Sequence, residues 1–81
     1  MNIAVRVQTI TKNVCGTAVD VLPASNITNN LGLDSFDRVE LIVNMEEEFN
    51  IIIEDDEFEK LKTVQDMILL IENKIAAKTA R

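Results

Sequence analysis

The sequence predicts an all-α fold: a four-helix bundle of three long helices and one short one, with a long loop between helices 1 and 2. Three observations carry this. Apolar residues recur at helical spacing in two clean stripes, Ile3/Val7/Ile10/Val14 and Val64/Ile68/Ile71/Ile75. Strong breakers are scarce, with only Gly16, Gly32 and Pro23 in 81 residues. The one β-branched run, Ile51-Ile52-Ile53, finds no partner strand in the chain.

Helix 1 is expected over about residues 2–15, ending at Gly16. Residues 17–33 have no clear period and hold Pro23, Ser25, Asn26, Asn29, Asn30 and Gly32. They read as a long loop, with Val19, Val21, Leu22, Ile27 and Leu31 available to pin it to the core; loops this long are usually functional or mobile. Asp34 is a good N-cap for helix 2, which runs to about Phe49, and Asp37 puts negative charge where the helix dipole favours it. Residues 51–53 read as a buried connection. A short helix 3 over about 56–61 is expected to bury Phe58 and Leu61. Thr63-Val64-Gln65-Asp66 resembles a capping box with Asp in place of Glu, opening helix 4 over about 64–77 with Met67 and Leu70 supporting its stripe.

A chain of 81 residues makes one domain, spanning 1–81, and 47% apolar content is enough for a core. Only Phe36, Phe49 and Phe58 are aromatic, so Ile, Val, Leu and Met must build most of it. The net charge of −6 argues against nucleic acid, where Lys and Arg must neutralise phosphates, and against stable association with an anionic membrane. It favours a basic protein partner. Cys15 is the only cysteine and reads as a small apolar residue in a helix. With no signal-peptide pattern and no apolar run of bilayer length, the expected location is a reducing, cytoplasmic one, and the Asn26-Ile27-Thr28 sequon is chance.

Helix 2 carries two apolar stripes. On a wheel of about 100° per residue, Leu41, Ile42, Met45 and Phe49 gather on one side. Phe36, Val39 and Val43 gather on another, bordered by Glu40, Glu46 and Glu47, with Ser35 at its upper end. The wheel leaves two explanations open: a central helix buried on both sides, or a docking face with an apolar centre and a charged rim. Charge favours the second. Residues 34–60 hold eleven acidic residues and two basic ones, Arg38 and Lys60, a net of −9; the rest of the chain holds three acidic and six basic, a net of +3. Self-repulsion on that scale is better explained by a site that meets positive partners than by an ordinary solvated face.

Catalysis by this chain is not expected. There is no histidine to activate Ser35, and Asp34 and Asp37 would oppose an alkoxide. No metal-site spacing is present, and Glu54-Asp55-Asp56-Glu57 lacks the pattern of a calcium loop. Ser35 is instead placed to be modified: it stands at a helix start, beyond a long loop, with Gly32 allowing close approach. A helix N-terminus can tolerate a phosphate ester there. Read from the residues alone, a capping or first-turn serine remains the plainer account.

The run Leu31-Gly32-Leu33-Asp34-Ser35-Phe36-Asp37 resembles the phosphopantetheine attachment motif of acyl carrier proteins. Val39-Glu40-Leu41 through Met45-Glu46-Glu47-Glu48-Phe49 is similar to that family's second helix, and Lys62-Thr63-Val64-Gln65-Asp66 to the start of its last. The likeness is strong over about 31–75 and weak over 1–30. It implies that a phosphopantetheinyl transferase joins 4′-phosphopantetheine from coenzyme A to Ser35, and that acyl intermediates ride on the arm as thioesters. It also implies that Asp34, Asp37, Glu40 and Glu47, around Phe36, Val39 and Val43, meet basic patches of acyl-transfer and fatty acid or related synthase enzymes. The chain is expected to act as a monomer. Phe36 stands where Leu is commoner, Asn29-Asn30 where an acidic pair usually precedes the motif, and Glu54 where proline is usual. These departures leave room beside fatty acid synthesis for a dedicated polyketide, lipid or peptide carrier, and, in another class, for an unmodified helical adaptor.

Overall fold

The computed structural model describes residues 2–16, 20–27 and 33–79. Four helices follow in order: α1 (Ile3–Cys15), α2 (Ser35–Phe49), α3 (Asp55–Glu59) and α4 (Val64–Thr79). Several of the helix boundaries have a local cause. Asn2 caps α1 by accepting from the Val5 N–H, and Gly16 ends it at φ +103°, a conformation that L side chains rarely adopt. Asn50 ends α2 in the left-handed region at φ 54°, which Asn tolerates better than most residues. The expected cap of α4 is present in reciprocal form: the Thr63 hydroxyl accepts from the Asp66 N–H at 3.2 Å, and the Asp66 carboxylate accepts from the Thr63 N–H at 3.2 Å and the Lys62 N–H at 3.1 Å.

The apolar stripes of α1 and α4 meet that of α2 in one core. Val7, Leu41, Met45, Val64, Met67 and Ile71 are fully buried, with Ile10, Phe49, Ile53, Phe58 and Ile68 around them. Thr11 is the one buried polar residue among those described, and its hydroxyl donates to the Val7 carbonyl at 2.7 Å. Cys15 is half-buried against the core; burial, and then the charge of Asp37, push its thiol pKa up, as suits a packing residue.

Three expectations are corrected. Ile27 is buried and Val21 packs against the core, but Leu22 is exposed. Val19 and Leu31 lie outside the described residues, as do Asn29, Asn30 and Gly32. Of the run 51–53, only Ile53 is buried; Ile52 is exposed, because in extended chain successive side chains point to opposite sides. Leu61 lies beyond the end of α3 and is only half-buried, whereas Phe58 is buried as expected.

Backbone bonds tie the loop to the start of α4. The Gln65 N–H donates to Pro23 O at 2.8 Å, the Val64 N–H to Ser25 O at 3.0 Å, and the Ile27 N–H to Lys62 O at 2.8 Å. Asn26 and Thr63 form an isolated antiparallel bridge here.

The backbone N–H donors of Lys62 and Thr63 hold the Asp66 pKa below its ordinary value. A carboxyl depressed in the folded state contributes stability that is present above its unfolded pKa of about 4 and is lost as pH falls through the folded value. The expected result is that Asp66→Asn lowers the urea midpoint at pH 7, and that the gap to the unsubstituted chain narrows as pH drops below about 4. A gap independent of pH would mean that the carboxylate's charge has no part in the cap.

Candidate functional site

Asp34 and Ser35 form the mouth of α2. Asp34 is extended, at φ −89° and ψ −178°, and its Oδ1 accepts from the Asp37 N–H at 2.8 Å. With that cap in place, Ser35 becomes the first helical residue and is exposed. An open groove of about 200 Å³ begins at Ser35 and runs between α2 and α3. Arg38, Val39 and Ile42 of α2 line it on one side, and Asp55, Phe58 and Glu59 of α3 on the other. The Arg38 guanidinium carbon lies 5.3 Å from the centre of the Phe58 ring.

The two stripes of α2 differ in burial, with one exception: Ile42, grouped with the core side on the wheel, is half-buried and lines the groove. Leu41 and Met45 are 0% exposed and Phe49 is 7%, whereas Phe36 is 76%, Val39 61% and Val43 44%. Burial of α2 on both sides is therefore excluded. A contiguous apolar patch on the helix outer face is left to solvent, with Glu40 and Glu47 exposed beside it and Asp37 half-buried.

The carboxylates of this region divide into two groups. Glu46, which borders the stripe on the wheel, is half-buried and accepts from the Ile53 N–H at 2.8 Å, tying the end of α2 to the connection toward α3. Glu48 pairs with Arg6 of α1 at 2.6 Å. Glu57 accepts from the Glu54 N–H at 3.0 Å and pairs with Lys74 at 2.9 Å; those two contacts, the backbone donor first, lower its pKa. A proline, the residue the family resemblance places at position 54, has no N–H to make the first of these bonds. Asp34, itself the cap of α2, and Asp37, Glu40 and Glu47 lie along the helix that carries the exposed stripe.

Arg38 and the α3 wall of the groove were not singled out from the sequence. Arg38 had a signal: it is one of two basic residues in the acidic window and stands three residues after Ser35, one helical turn away. Asp55 and Glu59 had none, since only the folded chain brings α3 alongside α2. No group of three or more potential metal ligands occurs among the described residues.

A family profile described as the phosphopantetheine attachment site matches residues 5–71. An acyl carrier protein of Thermosynechococcus vestitus is 53% identical over 57 residues, covering 70% of each chain. One from Cyanidium caldarium is 43% identical over 74 residues, covering 90% of this chain and 86% of its own. In three dimensions the chain is similar to the crystal structure of an acyl carrier protein from Thermotoga maritima, with a TM-score of 0.72, 27% identity and coverage of 91% and 87%. With a helical bundle, a serine at the mouth of α2 and relatives of this similarity, the chain belongs to the acyl carrier protein family and holds acyl groups on 4′-phosphopantetheine.

Proposed function

We propose that Ser35 is the attachment residue and that the outer face of α2 is where partner enzymes dock, in fatty acid biosynthesis. The observation that carries the first part is the exposure of Ser35 as the first helical residue, at the end of a groove and behind a cap supplied by its neighbour. The Asp34 carboxylate is held by the Asp37 N–H and the chain has no histidine, so the base that takes the Ser35 proton comes from the transferase. The exposed hydroxyl and the open groove fit the arm, which when bound supplies a terminal thiol for thioester formation. The chain acts as a carrier, not a catalyst. The test is intact mass after incubation with coenzyme A and a phosphopantetheinyl transferase: one arm gained, located at Ser35. A chain that gains none is the unmodified adaptor.

The docking part rests on the exposed Phe36/Val39/Val43 patch with Asp34, Asp37, Glu40 and Glu47 at its rim. Transferase and synthase enzymes with basic patches are its natural partners. No helix among the described residues is long and apolar enough to cross a membrane. Rim charges act mainly by steering, screened beyond about 8 Å at physiological salt. Glu40→Lys is therefore expected to slow association with the transferase while changing stability by no more than about 0.5 kcal/mol. Rising salt is expected to weaken docking while raising the melting temperature of the free domain, because it also screens the domain's own repulsion. Affinity that stays flat from low salt to about 0.5 M sinks the docking reading.

A further inference from the structure

We propose that Arg38 holds the phosphate that joins the arm to Ser35. The inference rests on Ser35 being the attachment residue and adds to it a binding site for the phosphodiester. Arg38 is a cation in a window of net −9, yet it forms no ion pair with a described carboxylate, although Asp55 and Glu59 line the same groove. Arg6 and Lys74, by contrast, are paired with Glu48 and Glu57. Its guanidinium instead rests over the Phe58 ring. That contact fixes one face of the fork and leaves its edge N–H groups available.

Helix geometry puts Arg38 on the face of α2 that Ser35 opens. Residues i and i+3 share a face, and side chains lean toward the helix N-terminus, so Arg38 covers the turn that Ser35 opens. Both residues line the one groove. The match is also chemical. A phosphodiester offers two non-bridging oxygens that share one negative charge, and Arg, with its planar fork, is the side chain suited to them. A new negative charge at Ser35 would otherwise sit among Asp34, Asp37 and Asp55 with no cation beside it.

The test uses the full chain with and without the arm, each form verified by mass, as the unsubstituted protein, Arg38→Gln and Arg38→Lys. Melting temperature at low salt and the ³¹P resonance of the phosphodiester are read together. In the unsubstituted chain, attachment is expected to leave the melting temperature unchanged or raise it. In Arg38→Gln, attachment is expected to lower it by about 4–8 °C relative to that behaviour, with the deficit shrinking as salt rises. Arg38→Lys, which keeps the charge and loses the fork, falls between. The ³¹P resonance is expected to move in Arg38→Gln. If Arg38→Gln destabilises both forms equally and leaves the resonance in place, Arg38 only braces Phe58 and the proposal is overturned. If no arm is gained, the mass spectrum shows before any melt that the Ser35 reading itself has failed, and this proposal with it.

Discussion

Ser35→Ala yields a folded helical domain that no longer gains the mass of one phosphopantetheine and no longer carries acyl groups. The loss is complete because the ester oxygen is removed and no neighbouring hydroxyl stands in its place: Asp34, Phe36 and Asp37 flank it. The fold survives because Ser35 is not the cap. Asp34 accepts from the Asp37 N–H, whereas Ser35 is an exposed first-turn residue and alanine is the best helix former. The cost to stability is therefore on the order of 1 kcal/mol or less. Circular dichroism and a thermal melt check the fold; intact and peptide mass check the attachment. An arm on the Ser35→Ala chain, or on another residue of the unsubstituted chain, refutes the assignment.

The second large effect separates the two sides of α2. Leu41→Ala and Phe49→Ala are expected to destabilise by about 2–5 kcal/mol, because each removes buried apolar atoms and leaves a cavity that the surroundings fill only in part. That is a large part of the roughly 5–15 kcal/mol that holds a typical domain together, and both variants are expected to melt far earlier. Val39→Ala and Val43→Ala remove side chains that already face solvent, so their stability changes stay within about 0.5 kcal/mol. Their effect is expected in docking, where an apolar centre loses contact area while the charged rim is kept. Urea midpoints for all four, with transferase binding for the two valine variants, decide the matter. Normal binding by both valine variants means that partners use some other face.

The split of α2 was legible because a helical period converts sequence spacing into angle, and burial follows angle once a core is present. Caps were legible for a similar reason: Asp34, Gly16 and the pair Thr63/Asp66 act on backbone within four residues of themselves. What escaped involves distance along the chain. Leu22 and Ile52 are apolar, and composition alone said they should pin the chain inward; which residue of a non-helical segment turns inward depends on the surface it crosses. Glu46 read as one rim charge among three, and only the return of the chain at Ile53 gave its carboxylate a backbone partner. Arg38 looked like an isolated charge until α3 brought Phe58 beneath it.

The bonds from Pro23 O and Ser25 O to the Gln65 and Val64 N–H groups have a consequence for how the molecule opens. The first turn of a helix normally frays alone, since its leading amides have no partner inside the helix. Here two of those amides are held by chain some forty positions upstream, so α4 cannot unwind from its N-terminal end unless the segment around Pro23 and Ser25 lets go with it. That makes a stretch without helix or sheet and the last helix one cooperative opening unit. Amide hydrogen exchange would find Val64 and Gln65 protected to the same degree as Ile27, whose own N–H is held from the other side of the same junction by Lys62 O.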